Sequence, residues 1–235
     1  MWNILLDNWP SFLLTAVGAY LLGSMNWAII LTRVFKKSDI RQVGSGNAGA
    51  TNVLRSQGPV LAVMTLIGDV GKGVLATLLG GWLINAMQCT PEVSEEVLTI
   101  VGRYAAGLFA VLGHMYPVFH KFKGGKGVAT SAGLIFVLDW RAGLICLGTF
   151  IVILLLGRMV SLGSVIAVAV APFVTFAARY WVDRYPMDLS LYCTCMIVPV
   201  VLIVILKHSA NMRRIAAGTE SRIDEMVKKD ETEEA

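Results

Sequence analysis

Two glycine-rich segments of this chain contain polar side chains that could bind an anion. The first is residues 43–52, and Arg55 follows it in a helix that we expect to begin near Thr51. Glycines let backbone amides turn inward, the helix N-terminus would point at the same place, and an arginine can bind two phosphate oxygens. For one such loop alone, a turn with Asn and Ser as helix caps is the simpler interpretation. The candidate ligands here are Ser45, Gly46, Asn47, Gly49, Thr51, Asn52 and Arg55.

The second segment, residues 124–130, resembles a phosphate-binding loop but does not match the nucleotide-binding motif. That motif is Gly-x-x-x-x-Gly-Lys-Ser/Thr, whereas Gly127 follows Lys126 here. Nucleotide binding is therefore not indicated. A lysine among Gly124, Gly125 and Gly127 at the start of a short helix still favours an anion site, and the alternative is a basic loop that only sets membrane topology. The presence of two such loops favours a functional role.

Two charged residues, Asp69 and Lys72, lie inside an apolar run. Charge is costly in lipid and usually functional there, but residues three apart on a helix can also simply pair. We expect this pair to support a site rather than to react. The glycines at 68, 71 and 73 predict a broken or kinked helix at this point.

Near the C-terminus, His208 and Asn211 share a helix face just beyond the last apolar run. The imidazole could act as a base or as a phosphate donor, with Asn211 orienting it, although a lone histidine at this position is more often solvated. His114 and His120 show no obvious partner in the sequence, so we assign them interfacial and structural roles. No Ser–His–Asp or Cys–His set and no metal-ligand spacing is present, and we therefore expect no cofactor and no metal.

The composition of the whole chain indicates a membrane protein. Of the 235 residues, 56% are hydrophobic and 15% are charged, against about 25% charged in a typical soluble domain. Soluble, disordered and disulfide-rich secreted proteins are excluded, and nucleic acid is not an expected partner. We predict an all-α, polytopic membrane protein with a single domain at 1–222 and an acidic, flexible tail at 223–235. The predicted spans, some short or broken, are residues 10–34, 59–87, 97–116, 128–138, 143–156, 160–178 and 189–206.

The placement of basic residues predicts the orientation of the chain. Seven spans put the termini on opposite sides, and fifteen of the twenty Lys and Arg residues then fall on one side. Because Lys and Arg are enriched in cytoplasmic loops, we expect the N-terminus outside and the C-terminus in the cytoplasm. Both glycine-rich loops and the segment around His208 then lie on the cytoplasmic face.

These residues resemble one family, the bacterial acyl-phosphate-dependent glycerol-3-phosphate acyltransferases, or PlsY family. Residues 45–55 and 124–130 are similar to its first and second motifs, and His208-x-x-Asn211, with Arg214 and Glu220, is similar to its third. Asp69-x-x-Lys72-Gly73 and the segment around His114 also fit, so the matches run from residue 23 to 222. The chain departs from the family at Asn26, where Pro is usual, and at Met115, where Asn is frequent.

The resemblance implies an enzyme of the bacterial inner membrane whose active site faces the cytoplasm. The implied reaction joins acyl phosphate and sn-glycerol 3-phosphate into 1-acylglycerol 3-phosphate (lysophosphatidate) and phosphate, the first step of phospholipid synthesis. Neither acyl-CoA nor acyl carrier protein is the direct donor. In the family, the Ser and Arg of the first motif are required, the second motif binds glycerol phosphate, the His and Asn of the third serve activity, and its Glu is structural.

We interpret the site as follows. Ser45, Arg55 and Lys126 hold the phosphate of glycerol phosphate, and His208 and Asn211 orient phosphates or relay a proton. Substrate contacts are further expected from Arg214 and from the amides of Gly124, Gly125, Gly127 and the first loop, while Asp69, Lys72 and Glu220 support the structure.

Two other functions remain open on the sequence. A secondary transporter of an organic phosphate would also show broken helices and intramembrane charge. The chain has no internal repeat pairing its halves, however, and its polar loops lie on one face rather than at the midplane. A structural membrane scaffold would not explain two anion loops.

Overall fold

The computed structural model describes residues 8–87 and 93–223, and the secondary structure of this part is helical throughout. Of the predicted tail, residues 224–235 lie outside the described residues. The helices are α1 (Trp9–Gly23), α2 (Trp27–Lys36), α3 (Ala50–Gln57), α4 (Pro59–Ala86), α5 (Glu95–Met115), α6 (Val128–Leu138), α7 (Trp140–Gly157), α8 (Val160–Ala177), α9 (Met187–Lys207) and α10 (Ser209–Ala216). Short 3-10 turns at Ile40–Gln42 and Val118–His120 and a π-turn at Ala178–Val182 complete them.

The predicted all-helical membrane fold is confirmed. Six helical segments in the described part are long and apolar enough to cross a bilayer, with α1 and α2 together forming one of them. The fourth predicted span is different. Helix α6 is apolar but has 11 residues, so it reaches ~16 Å at 1.5 Å per residue, about half of a typical hydrocarbon core.

The break in the chain lies in the first span and not in the second. Helix α4 continues through its glycines as one helix of 28 residues, so the predicted break at 68–73 is wrong. Between α1 and α2 the chain leaves the helix at residues 24–26, and Asn26 Oδ1 accepts from Ile29 N at 3.1 Å as the N-cap of α2. Asparagine is among the best N-cap residues, which explains why the helix restarts here.

Glycines let the helices around the break approach closely. A Cβ at Gly113 of α5 would overlap the Tyr20 carbonyl of α1, and one at Gly73 of α4 would overlap the Thr130 carbonyl of α6. Small residues at such contacts are the usual means by which helices pack in lipid. The result is a group in which α5 contacts α1, α4 and α6.

An apolar cluster anchors the first glycine-rich loop to this group. Ile40, Ala48 and Val53 are fully buried, and they pack with residues of α2 and of the first turn of α4. Burying Ile40 and Val53 stabilises the loop by several kcal/mol, at about 1.5–3 kcal/mol for each large apolar side chain. The loop is therefore held at both ends and at its centre.

A network of paired charges closes the far end of the short helix α6. Arg141 Nη2 contacts Asp139 Oδ2 at 2.9 Å and Asp183 Oδ1 at 2.7 Å, and Arg179 Nη1 contacts Asp183 Oδ2 at 2.8 Å. Arg179 also donates to the carbonyl of Leu138, the last residue of α6. Since the last carbonyls of a helix have no partner within it, Arg179 caps α6 where the helix stops short.

We predict that Arg179→Met destabilises the fold without altering the opposite face. Loss of the cap leaves the Leu138 carbonyl and the Asp183 carboxylate without one partner each, which costs about 1–3 kcal/mol. The thermal unfolding midpoint in detergent should therefore fall. The matched control is Arg184→Met, an exposed arginine in the following turn, which should leave the midpoint unchanged. Equal midpoints for the two variants would show that the cap contributes nothing.

Candidate active site

The first loop is organised by one buried amide, Asn52. Its Oδ1 accepts from Ser45 N at 2.8 Å, and its Nδ2 donates to the carbonyls of Ile40 at 3.1 Å and Val43 at 2.9 Å. These bonds use both hydrogens of the amide group, and Asn52 is 1% exposed. Asn52 therefore shapes the loop from beneath, which replaces its predicted role as a substrate ligand.

The other predicted ligands of this segment lie on its outer side. Gly46 has a φ of +71°, a left-handed conformation that favours glycine. Helix α3 begins at Ala50, one residue from the predicted start, and its first turn follows the loop. The exposed or half-buried candidates are Ser45, Gly46, Asn47, Gly49, Thr51 and Arg55.

The second loop is hydrogen-bonded to the end of α5. Gly124 N donates to Met115 O and Gly125 N donates to His114 O, both at 3.2 Å. A Cβ at either glycine would overlap α5 or the first loop. The amides of Gly124 and Gly125 are therefore committed to carbonyls within the protein, and the prediction that they bind an anion gives way to a role in close packing. Gly127, with a φ of +83°, ends the loop just before α6.

Lys126 joins the second loop to the C-terminal residues. Its Nζ donates to Asn211 Oδ1. Asn211 Nδ2 donates to Glu220 Oε1 at 2.6 Å, and Arg214 Nε donates to Glu220 Oε2 at 2.8 Å. Ser161, at the start of α8, donates to the same carboxylate at 2.7 Å. The structure thus brings Lys126, Asn211, Arg214 and Glu220 together and adds Ser161, for which the sequence holds no pattern.

The charges around Lys126 shift its ionisation. Burial lowers the pKa of Lys126 to about 8, Glu220 opposes this, and the positive charges of Arg214 and Arg55 add to it. Burial acts to raise the pKa of Glu220, but the hydrogen bonds from Asn211, Ser161 and Arg214 outweigh it and lower the pKa overall. Lys126 therefore lies within the electrostatic range of two arginines and one carboxylate.

His208 is held in a single tautomer. It is 2% exposed, and its Nδ1 lies 2.8 Å from the carbonyl of Val204, so Nδ1 carries the proton and Nε2 presents a lone pair. Burial lowers the pKa of His208 to about 4, with the Val204 carbonyl opposing and Lys126 adding to the shift. At neutral pH the ring is uncharged, so its Nε2 can accept a hydrogen bond but cannot donate one to a phosphate.

The predicted pair of Asp69 and Lys72 forms, and it includes a third residue. Lys72 Nζ lies 2.8 Å from Asp69 Oδ1 and 2.8 Å from His114 Nδ1. His114, which showed no partner in the sequence, therefore belongs to a buried cluster whose other members lie 42 and 45 residues earlier in the chain. No group of three or more His, Cys, Asp or Glu side chains within residues 8–87 and 93–223 could hold a metal ion.

Comparisons with known proteins agree on one family. The family model described as glycerol-3-phosphate acyltransferase matches residues 13–218. Curated relatives of that name include one from Bartonella henselae, 39% identical over 92% of this chain and 91% of its own length. Another, from Nitrosomonas eutropha, is 40% identical over 87% of this chain and 94% of its own length.

Two solved structures of PlsY, an integral membrane glycerol 3-phosphate acyltransferase, share the fold. The glycerol 3-phosphate form superposes with a TM-score of 0.74 at 33% identity and covers 91% of this chain and 96% of its own. The lysophosphatidic acid form superposes with a TM-score of 0.72 at 32% identity, over 90% of this chain and 95% of its own.

We predict that His208 does not titrate near neutral pH. In protein labelled with ¹⁵N-histidine, its ring signals should show the Nδ1-protonated tautomer and stay unchanged between about pH 5.5 and pH 8, because the pKa is about 4. The His208→Gln variant identifies the signal among the three histidines. A titration midpoint near pH 6.5 would contradict the buried, neutral assignment.

Proposed function

The chain belongs to the glycerol-3-phosphate acyltransferase family and is an acyltransferase of phospholipid synthesis, and we propose that its acyl donor is an acyl phosphate. The reaction joins the donor to the 1-hydroxyl of sn-glycerol 3-phosphate and gives 1-acylglycerol 3-phosphate and phosphate. The observation that supports this is the cationic cluster of Lys126, Arg55 and Arg214, in which Glu220 binds Arg214. Such a cluster suits two phosphate-bearing reactants.

The donor itself supplies most of the reactivity. An acyl phosphate is a mixed anhydride, so phosphate is a good leaving group and a strong base is unnecessary. The 1-hydroxyl oxygen forms the new bond to the acyl carbon, the bond between that carbon and the phosphate oxygen breaks, and the hydroxyl proton ends on the released phosphate. His208 fits this scheme, because a ring of such low pKa can orient the hydroxyl through Nε2 without keeping its proton.

The basic side chains bind the acceptor. Ser45 and Arg55 approach its phosphate from the first loop, and Lys126 approaches it from the second. Arg214 and Asn211 complete this side, and Glu220 holds both in position through two hydrogen bonds. Hydrogen-bond donors that already point to the place where negative charge develops lower the activation barrier, because they need not move during the reaction.

The donor phosphate is assigned to the outer side of the two loops. The side chains of Asn47 and Thr51 and the amide of Gly127 are the groups left for it, since the amides of Gly46, Gly49, Gly124 and Gly125 already donate to backbone carbonyls. The first-turn amides of α6 add to this set, because they have no partner within the helix. The acyl chain lies between helices, in lipid.

We place this site at the cytoplasmic face of the bacterial inner membrane. Both loops and α10 lie at the end of the molecule where α5 ends and α6 begins, and most Lys and Arg residues of the sequence adjoin these segments. The opposite end of α6 carries the charge-paired network instead. Enrichment of Lys and Arg residues on one side supports a cytoplasmic orientation of that side.

The function is tested on the purified protein in detergent, with acyl phosphate and glycerol 3-phosphate as the only substrates. We expect phosphate release that depends on both, together with formation of 1-acylglycerol 3-phosphate. No release from the pair, combined with flux of glycerol 3-phosphate into liposomes that contain the protein, would establish a transporter instead. An acyl chain trapped covalently on the protein would overturn direct transfer.

We predict that Ser45→Ala, Arg55→Ala and Lys126→Ala each lower kcat/KM about a hundredfold. Removal of one preorganised donor to a reacting anion typically costs about 3 kcal/mol. The control is Lys123→Ala, an exposed lysine of the same loop region, which should keep full activity. Full turnover by any one of the three variants would remove that residue from the site.

We predict that KM for glycerol 3-phosphate rises above about pH 8. The pKa of Lys126 is lowered to about 8, so its positive charge is present below that pH and lost above it. KM should therefore increase up to about tenfold per pH unit once the lysine is neutral. In Lys126→Arg the charge persists to high pH, and KM should stay flat. A wild-type KM that is constant to pH 9.5 would separate Lys126 from phosphate binding.

A further inference from the structure

We propose that His114, held by Lys72 and Asp69, is a positioning residue that fixes the separation of the two glycine-rich loops. This inference rests on the proposed function, because it assigns the acceptor phosphate to residues of both loops. None of the three residues is placed in contact with substrate. They act by fixing the geometry of the groups that are.

The three side chains form a closed cluster in the membrane interior. Asp69, Lys72 and His114 are 1%, 4% and 3% exposed. An ammonium group has three donors, and Lys72 Nζ has three neighbours at bonding distance: Asp69 Oδ1 at 2.8 Å, His114 Nδ1 at 2.8 Å and the Met25 carbonyl at 2.9 Å. The contact with Asp69 is an ion pair without hydrogen-bond alignment, and the other two are aligned bonds.

This arrangement determines the tautomer of His114. A charged lysine offers only donors, so Nδ1 of the ring must present its lone pair to Lys72. A second positive charge would leave two cations with one carboxylate in a low-dielectric interior, which is unfavourable. The ring is therefore neutral with its proton on Nε2. Lys72 fixes both the rotation of the ring and the direction in which Nε2–H points.

The Nε2 atom faces the place where the two loops meet. A Cβ at Gly125 would overlap both His114 Nε2 and the carbonyl of Ala48. Gly125 belongs to the second loop and Ala48 to the first. The carbonyl of Ala48 also accepts from Asn26 Nδ2 at 3.3 Å, and the carbonyl of His114 accepts from Gly125 N. The imidazole thus lies directly beneath the contact between the loops.

The same cluster connects to the helices that carry the loops. Met25, whose carbonyl binds Lys72, lies in the break between α1 and α2. Gly73, next to Lys72, packs on the Thr130 carbonyl in the first turn of α6, which follows Lys126. One buried ammonium therefore links the start of α2, the end of α5 and, through its own helix, the start of α6.

Loop separation matters because the acceptor lies across it. Ser45 and Arg55 act from one loop and Lys126 from the other. A displacement of about 1 Å between reacting groups can cost about a hundredfold in rate. We therefore expect His114 to affect turnover only through the loops that it aligns.

The test compares two substitutions at position 114 with a matched control. His114→Asn keeps an acceptor near Lys72 but loses the donor that faces the loops, and kcat/KM should fall about 10–100-fold. His114→Gln places an amide donor near the position of Nε2 and should recover part of that loss. The control is Thr77→Val on α4, a buried residue that bonds only within its own helix in the described part of the chain. It should keep wild-type activity.

A double-mutant cycle separates positioning from a general loss of structure. The Lys126→Ala variant has no lysine side chain for His114 to position. Adding His114→Asn to it should therefore cause no further drop in kcat/KM. The neutral variant Asp69→Asn/Lys72→Met, which removes both charges together, should lose activity to the same extent as His114→Asn and should not add to it.

Three results would overturn the inference. The first is a His114→Asn enzyme that keeps more than half of the wild-type kcat/KM, and the second is a His114→Gln enzyme as impaired as His114→Asn. The third is a Lys126→Ala/His114→Asn enzyme whose kcat/KM is lower than that of Lys126→Ala alone, whether activity is reduced or lost entirely. If the wild type and the Thr77→Val control release no phosphate at all, the proposed function fails and not the positioning role.

Discussion

The buried ammonium of Lys72 is the interaction on which the arrangement of the loops depends. In lipid, every backbone carbonyl that leaves a helix needs a partner from the protein. The break between α1 and α2 releases the Met25 carbonyl, and Lys72 binds it while Asp69 balances the charge. Because the first span can stop and restart, α2 can lead into the first loop beside the end of α5. Without that partner, the Met25 carbonyl would lack this hydrogen bond.

The sequence predicts the features of this protein that depend on neighbours in the chain. Hydropathy locates the spans, the spacing of Asp69 and Lys72 predicts their pairing, and the glycines near Thr51 predict a helix start within one residue of the observed one. The break at residues 24–26 is not among the sequence predictions, although Ser24 and Asn26 interrupt the apolar run there, because the capping bond of Asn26 shows only in the structure where the helix restarts.

Features that depend on distant partners could not be predicted in the same way. A glycine permits a sharp turn, but the sequence does not say whether its amide faces a ligand or a carbonyl, and for Gly124 and Gly125 it faces a carbonyl. Ser161 meets Glu220 across 59 residues of chain, and His114 meets Lys72 across 42. Glu220 illustrates why such partners matter. Its carboxylate keeps Asn211 and Arg214 oriented and offsets part of the repulsion between Lys126 and the two arginines near it.

The unequal lengths of the helices also shape the surrounding bilayer. Helix α7 has 18 residues and faces outward along most of its length, whereas α4 has 28, so their lengths are ~27 Å and ~42 Å at 1.5 Å per residue. A short hydrophobic wall thins the adjoining bilayer, while a long one tilts or thickens it. Lipids beside α7, which packs against the half-length α6, therefore meet a shorter hydrophobic surface than lipids beside α4. A bilayer that adapts to both helices would be thinner beside α7 than beside α4.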